Sequence, residues 1–580
     1  MTLIYDIETW AYGQFDTTKD KFRTIAMYEL ESDKEHFYTY HQLTEIKELF
    51  RKHKIIVGFN NWHYDDPILK RAGVSLKYHN NIDLREVAKK RGEYIGLDNT
   101  SLSLANIAKH LNLSEFKDEE FDYDILKKDE WTDEELAYIE VYNIQDIKVT
   151  AALFRKFHEY FTPFKEFVSK ADQDNLSWLK SSVATYTYKV MCHQTGIKEE
   201  YDDKTTRKPF KGGFVAEPTV GEAHGNIYCL DFNSLYPHMY IMGNLSTPIN
   251  TGGWARDLFF DLQGTYNNTG MGVKESVLHM LYKKRVGFKK VKNPLEYAIK
   301  IVMNTFYGVT GNPVFKNLYN YKTASDCTAM GRKCIKYTKQ IFEAYGYKFL
   351  YTDTDSVYIQ DPFKDEPSMM AVKDRVIAFL KTKVPFPVDT FDLGIDYRIK
   401  HIWFFKTGEH YKKKNYMLVT EENELIIKGL PMIKRDGSGI GLYIFNKYMR
   451  DNIINGTIQH SYPEIRKIVY DEIDKDLSLV ARKFIVGTPD SYKQKNQLQA
   501  VIARKYGAGK HILIPNKYYG VGQSVKYCTE EEFRAKDFNM HSIILNKMWN
   551  ELQEFLNYKP DATTTKNHKA QMDLLAWTNC

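Results

Sequence analysis

Residues 351–358 read YTDTDSVY, and the two aspartates decide how the segment is understood. Tyr, Thr and Val favour strands, whereas Asp is depleted in them. Side chains alternate faces along a strand, so Asp353 and Asp355 are expected on one face, roughly 7 Å apart. Two like charges placed this way repel each other. Upstream, NIYCLDFNSLYPHMY (226–240) places a third carboxylate, Asp231, at the end of an apolar strand and before a turn. Three acids on neighbouring strands call for cations among them, and with oxygen ligands Mg²⁺ is the expected choice.

The bulk composition suits a large protein with several cores. At 580 residues the chain is long enough for about four domains of about 150 residues. It is 43% hydrophobic, with 42 Tyr and 33 Phe to fill those cores. No apolar run approaches the ~18 residues of a membrane span. The opening MTLIYDIETW has no basic region followed by an apolar one. A soluble, cytoplasmic protein with neither leader nor membrane span is expected. The six cysteines are scattered without a CxxC pair, which argues against a disulfide framework or a zinc module. Net charge is only +6, from 81 basic and 75 acidic residues, so its distribution says more. YKKRVGFKKVK (282–292) and HYKKKNY (410–416) interleave bases with aromatics, a composition that suits phosphate backbones and stacked bases. Either cluster alone reads better as a solvated charged face.

The N-terminus repeats the two-residue spacing, with Asp6 and Glu8 in LIYDIETW (3–10). VGFNNWHYDDPIL (57–69) adds Asp65 in a loop after a buried strand. YIEVYNIQDIKVT (138–150) puts Asp146 on a helix, with Tyr142 one turn earlier on the same face. Four carboxylates on separate elements can converge on two divalent ions ~3.5–4 Å apart, the arrangement that hydrolyses phosphodiesters. In this order D-x-E, N-x-x-x-[FY]-D and Y-x-x-x-D resemble the three motifs of the DEDDy 3′–5′ exonucleases. SLSLANIAKHLNL (101–113) resembles the helix between their second and third motifs. By that resemblance Asp6, Glu8, Asp65 and Asp146 bind metal, Tyr142 orients the attacking water and Asn60 helps to hold the substrate strand.

Cations that could meet a triphosphate lie between Asp231 and the pair at 353 and 355. Arg285 and Lys289 are four residues apart on one helical face, and Lys300, Asn304 and Tyr307 share another. Gly308 leaves room for a base pair against the backbone. DFNSLYP (231–237), KIVMNTFYG (300–308) and YTDTDS (351–356) resemble motifs A, B and C of the family B DNA polymerases. FKGGFVAEP (210–218) resembles their YxGG element, which couples exonuclease and polymerase sites, with Phe210 in place of Tyr. ASDCTAMGR (324–332) resembles the segment before motif C. KKKNY (412–416) resembles the KxY element that holds the primer terminus. IKGLPMIKRD (427–436) resembles the approach to the thumb, and the segment 491–527 a duplex-binding element of the thumb.

The resemblance covers nearly the whole chain, and it implies residue roles. Asp231 and Asp355 would bridge two Mg²⁺ ions with Phe232 beside them, Mn²⁺ being an expected substitute, and Asp353 would support them. The dNTP would meet Ser234, Leu235, Tyr236, Arg285, Lys289, Lys300, Asn304 and Tyr307, with the Tyr236 ring as a steric gate against a ribose 2′-hydroxyl. Primer–template DNA would meet Phe210, Gly212, Gly213, Thr328, Arg332, Lys414, Tyr416 and Lys428. The implied fold is multidomain α/β and α+β, an RNase H-like exonuclease domain joined to a right-hand polymerase. The expected boundaries are 1–165 for the exonuclease, 166–270 and 312–437 for the palm, 271–311 for the fingers and 438–556 for the thumb. A linker and tail fill 557–580.

Departures from the family narrow the expectation. The first exonuclease motif starts at residue 6, so the N-terminal domain of many relatives is expected to be absent. The intervals Asp231–Asn304 and Asn304–Asp353 leave little room for the two insertions of the protein-primed phage subgroup. Extension of an ordinary primer by a monomeric phage or mobile-element replicase, in the host cytoplasm, is therefore expected. The terminal QMDLL (571–575) resembles the peptide with which bacterial polymerases hold a sliding clamp, through Gln571, Leu574 and Leu575; a terminal helix docking on the thumb is the alternative. Two other classes compete with the polymerase reading: a nuclease whose second half only binds DNA, and a non-catalytic DNA-binding factor. Both are disfavoured because the two carboxylate sets are complete.

Overall fold

The computed structural model describes residues 1–10, 16–97, 102–114, 121–245, 254–255, 265–266, 270–433, 439–458, 462–489, 498–515, 527–535 and 539–556. They fall into two compact units. One comprises Met1–Pro209, Asn244–Gly253 and Tyr266–Ala324; the other comprises Phe210–Gly243, Trp254–Thr265 and Ser325–Cys580.

The first unit is built on a five-stranded sheet of β1 (Thr2–Trp10), β2 (Lys21–Glu29), β3 (Lys34–Thr39), β4 (Ile55–Gly58) and β5 (Asn80–Asp83), ordered β3-β2-β1-β4-β5. β1 runs parallel to β4 and antiparallel to β2. Its alternation is that of a strand between two layers. Leu3, Tyr5 and Ile7 enter a core with Ile46, Leu49, Phe50, Ile68 and Leu69, which leaves Asp6 and Glu8 on the opposite face. The long helix Asp133–Phe161 packs on β1 and β2. A capping box between Thr132 and Glu135 starts that helix, satisfying orphan amides at its first turn. Thr24 of β2 donates to Asn143 Oδ1 at 2.8 Å, tying helix to sheet. Later in this unit the helices Val273–Lys290 and Leu295–Thr310 pack on each other and on the helix Val183–Thr195. Leu295–Thr310 buries Ala298, Ile299, Val302, Met303 and Phe306 and exposes Lys300 and Asn304.

The second unit is built on a six-stranded antiparallel sheet. Its strands are β6 (Glu222–Phe232), β9 (Lys348–Asp353), β10 (Ser356–Gln360), β11 (Leu393–Thr407), β12 (His410–Thr420) and β13 (Leu425–Lys428), ordered β13-β12-β11-β6-β10-β9. Two-residue strands β7 (Trp254–Ala255) and β8 (Thr265–Tyr266) come between β6 and β9 in the chain. Both faces of the sheet are covered. Trp403, Phe405, Met417 and Val419 meet Ile440, Phe445, Trp549 and Phe555 of the C-terminal helices. Ile402, Phe404, Tyr416 and Leu418 face the other way, onto Ile227, Leu350, Tyr351 and Tyr358. The register lines up Gly394, Asp231, Ser356 and Asp353 in one row across β11, β6, β10 and β9.

The structure corrects the strand reading of YTDTDSVY. β9 ends at Asp353 and β10 starts at Ser356, so Asp355 lies in a hairpin turn and not on the strand face of Asp353. Thr354 has φ +67°, and the Asp355 amide donates to the Asp353 carbonyl at 2.8 Å. The turn preference of Asp outweighs the strand preference of its neighbours here.

Gly429, just beyond β13, has φ +73°, and a Cβ there would collide with the backbone carbonyl of Lys414. We expect Gly429→Ala to destabilise this unit by about 2 kcal/mol or more, through both backbone strain and overpacking. A urea midpoint equal to that of the wild type would show that the contact yields.

Candidate functional site

In the first unit, Asp6, Glu8 and Asp146 bring one carboxylate oxygen each within 4.8 Å of one another. Strand alternation supplies the first two, and the helix across that face supplies the third. Such a donor set fits a divalent cation with oxygen ligands. Asp65 is outside that trio; it starts the helix Asp65–Arg71 and accepts the amide of Ile7, between Asp6 and Glu8, at 3.2 Å. Burial, with the charges of Asp66 and Asp83 nearby, pushes its carboxyl up to about 7. Tyr142 is buried one turn before Asp146; its ring stacks on Phe121 at 3.9 Å, and its hydroxyl bonds Tyr123 Oη at 2.7 Å. Burial and the nearby charges of Asp146, Glu8 and Asp6 raise that hydroxyl well above the usual tyrosine range.

Asn60 adopts φ +62° and is held at both ends. Its amide donates to Asp83 Oδ1 at 2.9 Å, and its side-chain oxygen accepts from Arg85 at 2.8 Å. Asp83 is buried and also accepts the amides of Trp62, Arg85 and Glu86. Sequence reasoning missed Asp83, although an Asp between a strand and a helix is a common N-cap. Phe121 and Tyr123 were missed as well.

In the second unit, Asp231 and Asp355 meet where β6 ends. The Phe232 amide donates to the Asp355 carbonyl at 3.0 Å, and the Phe232 ring stacks on Phe391. Partial burial, then the charges of Asp355 and Asp396, push the Asp231 carboxyl up to about 7. Partial burial and the Asp353 charge raise Asp355, against the opposing effect of Lys414. Asp353 is ion-paired with Lys414 Nζ at 2.9 Å. The sequence reading missed Asp396, which lies where β11 bulges opposite β6. An Asp within the strand sequence LGIDYRIK was the available clue, the same one that singled out Asp353.

The segment 210–218 runs along the edge of this cluster. The Phe214 carbonyl accepts the Thr354 amide at 3.0 Å, and Val215 bridges Asp353. Thr328 Oγ1 donates to the Lys211 carbonyl at 2.7 Å, and Arg332 donates to the carbonyls of Lys211 and Gly212, each at 2.7 Å. Thr328 and Arg332, expected at DNA, thus bind the loop of Gly212 and Gly213. Tyr416 is buried, bonded to Tyr358 Oη at 2.8 Å, and its ring packs against that of Tyr351. The Lys414 amide donates to Tyr351 Oη at 2.8 Å. Lys428 acts electrostatically on Asp396. Ser234, at φ +53°, leads into the helix Leu235–Gly243, which carries Leu235 and Tyr236.

Among the nucleotide-binding candidates of the first unit, Lys289, Lys300 and Asn304 are exposed, and Tyr307 is half-buried. Arg285 forms an ion pair with Glu296 at 2.8 Å, linking its helix to the next. Gly308 lies within a helix that continues to Thr310, on an open face. Gln571, Leu574 and Leu575 lie outside the described residues.

Comparisons with known proteins point to one family. A model of DNA polymerase family B matches residues 278–517, and one of DNA polymerase type B, organellar and viral, matches 79–258. A DNA polymerase of Pyrococcus glycovorans is 25% identical over 414 residues, covering 67% of this chain and 50% of the relative. One from Thermococcus gorgonarius is 26% identical over 381 residues, covering 60% and 48%. The chain spans about half the length of these curated relatives. The solved family B polymerase of Pyrobaculum calidifontis aligns over 98% of this chain and 78% of its own, with TM-score 0.53 and 15% identity, which shows a shared fold. The chain belongs to DNA polymerase family B.

The raised Asp231 carboxyl has a consequence for stability. With its pKa at about 7 when folded and the ordinary value when unfolded, the folded state binds the extra proton. Metal-free protein should therefore lose stability as pH rises from about 4 to 7. Asp231→Asn removes that loss. We expect it to raise the unfolding free energy read from urea titration at pH 8 in chelator by about 1–2 kcal/mol, after allowance for solvent screening, and to gain nothing at pH 4.

Proposed function

We propose that this protein is a template-directed DNA-dependent DNA polymerase with a 3′–5′ proofreading exonuclease, extending a nucleic-acid primer with dNTPs. One observation carries the reading: two separate carboxylate clusters, Asp6–Glu8–Asp146 in one unit and Asp231–Asp355 in the other. In this reading the five-stranded sheet belongs to an RNase H-like exonuclease domain. The six-stranded sheet is the palm, the helices Val273–Thr310 are the fingers, and the helices after residue 438 are the thumb.

The donor sets fit divalent cations. Asp231, Phe232 through its carbonyl, and Asp355 would hold Mg²⁺ in the palm, and Asp6, Glu8, Asp65 and Asp146 would hold it in the exonuclease. When bound, the ions neutralise charge that develops on attacking and leaving oxygens. The chain's own residues do the rest. Lys300, Lys289 and Asn304 bind the triphosphate, which Lys300 meets as a point charge. The Tyr236 ring fills the place of a ribose 2′-hydroxyl. Asp353 keeps Lys414 at the hairpin, where its ammonium meets the primer strand. In the exonuclease, the Tyr142 hydroxyl orients the attacking water, and Asn60 holds the strand. Arg285 acts through Glu296 by fixing the fingers pair. The organellar and viral family description favours a phage or mobile-element replicase, and the tail 571–575 would tether it to a clamp.

Extension and degradation of a labelled primer–template with Mg²⁺ test the reading. Asp355→Asn should cut extension by about 10²-fold or more and spare degradation, and Asp6→Ala should do the reverse. Chelation should stop both, and added Mg²⁺ should restore both. Wild-type protein that incorporates no dNTP would overturn the polymerase reading, and degradation insensitive to Asp6→Ala the exonuclease site.

A further inference from the structure

We propose that Gly213 and Gly331 form the seat of the Tyr236 ring, and that this seat sets how strictly the nucleotide pocket rejects a ribose. The inference deepens the polymerase reading and rests on Tyr236 being the ring that meets the sugar.

The contacts join four segments of the second unit. Gly213 lies between two anchors. Before it, Thr328 and Arg332 hold the carbonyls of Lys211 and Gly212 at 2.7 Å. After it, the Phe214 carbonyl accepts the Thr354 amide, and Val215 bridges Asp353. A Cβ on Gly213 would stand 2.5 Å from Tyr236 Oη and 2.8 Å from Thr354 Cγ2. A Cβ on Gly331 would stand 3.1 Å from Tyr236 Cε1 and 3.4 Å from Leu235 Cδ2. Two glycines from distant segments therefore bound one aromatic ring, at its hydroxyl and at its edge.

Neither glycine is needed for its backbone, since neither has the positive φ that favours glycine. Gly331 is in the middle of the helix Tyr321–Ala344, where glycine costs about 1 kcal/mol relative to alanine. Space for Tyr236 accounts for both. Arg332 adds the positioning element. It follows Gly331 directly and reaches the loop before Gly213, so one helix turn carries one wall of the seat and ties down the other. The Tyr236 side chain is the nearest neighbour of both methyl positions, with Thr354 Cγ2 next at Gly213, so an added methyl presses on the ring from either glycine.

Single-nucleotide incorporation on a primed template, comparing kcat/KM for a dNTP and the matching rNTP, reads the seat. We expect Gly213→Ala and Gly331→Ala each to lower dNTP-over-rNTP discrimination by about tenfold, the usual cost of a one-carbon misfit in a pocket. Gly213→Ala with Tyr236→Phe should recover most of the loss, because the phenyl ring keeps its bulk but lacks the oxygen nearest the methyl. Alanine suits a helix interior, so Gly331→Ala keeps the test available should Gly213→Ala fold poorly. Tyr236→Ala is the control. If it lowers discrimination while both glycine variants that fold keep the wild-type ratio, the seat is refuted and the gate stands. If Tyr236→Ala leaves discrimination unchanged, the gate reading itself is wrong.

Discussion

The mutual repulsion of Asp231 and Asp355 is the constraint around which the second unit is arranged. Partial burial strengthens that repulsion, since the charges are less screened than in water. Burial first, and then the charges of Asp355 and Asp396, push the Asp231 carboxyl up to about 7. A sheet interior would normally relieve such a conflict by substituting one acid. Here the surroundings keep both. β6 and β10 hold Asp231 opposite Ser356, and the bond from the Phe232 amide to the Asp355 carbonyl fixes the approach of the two chains. The cost makes sense only if a ligand of opposite charge repays it.

The first unit meets the same demand by another route. Asp6 and Glu8 share a face because β1 alternates without interruption, and Asp146 arrives on a helix. No turn is involved, and the alignment needs only the strand period and one helical turn. The aromatic set around Tyr142 then adds rigidity: Phe121 covers the ring, and Tyr123 takes its hydroxyl. Two carboxylate sites in one chain thus rest on different secondary-structure devices.

That difference explains what could be read in the sequence. The shared face of Asp6 and Glu8 at the N-terminus and the helix carrying Tyr142 and Asp146 follow from periodicity and appear where expected. Asp355 did not, because alternation holds only in an unbroken strand, and T-D-T-D is also a turn sequence. Tyr416 is expected at the primer terminus, and the structure buries it, because it opens the run YMLV of a strand covered on both faces. Arg285 looked available for phosphate because its partner, Glu296, is on the next helix and no local rule pairs them. Asp396 depends on a bulge, and bulges shift register in a way that composition does not announce.

Asp353 and Asp355 are the same residue type two positions apart, and their partners make them different. Lys414 takes Asp353, which leaves Asp355 to Asp231. Between them Thr354 has a positive φ, a strained state that persists only where surrounding contacts over-determine it. Three do so: Thr354 donates to Phe214, the Asp355 amide to Asp353, and the Asp355 carbonyl accepts from Phe232. One of these contacts comes from the glycine loop and one from the strand end that carries Asp231. The turn is therefore a junction, tied on one side to the loop beside Gly213 and on the other to the strand end that carries Asp231.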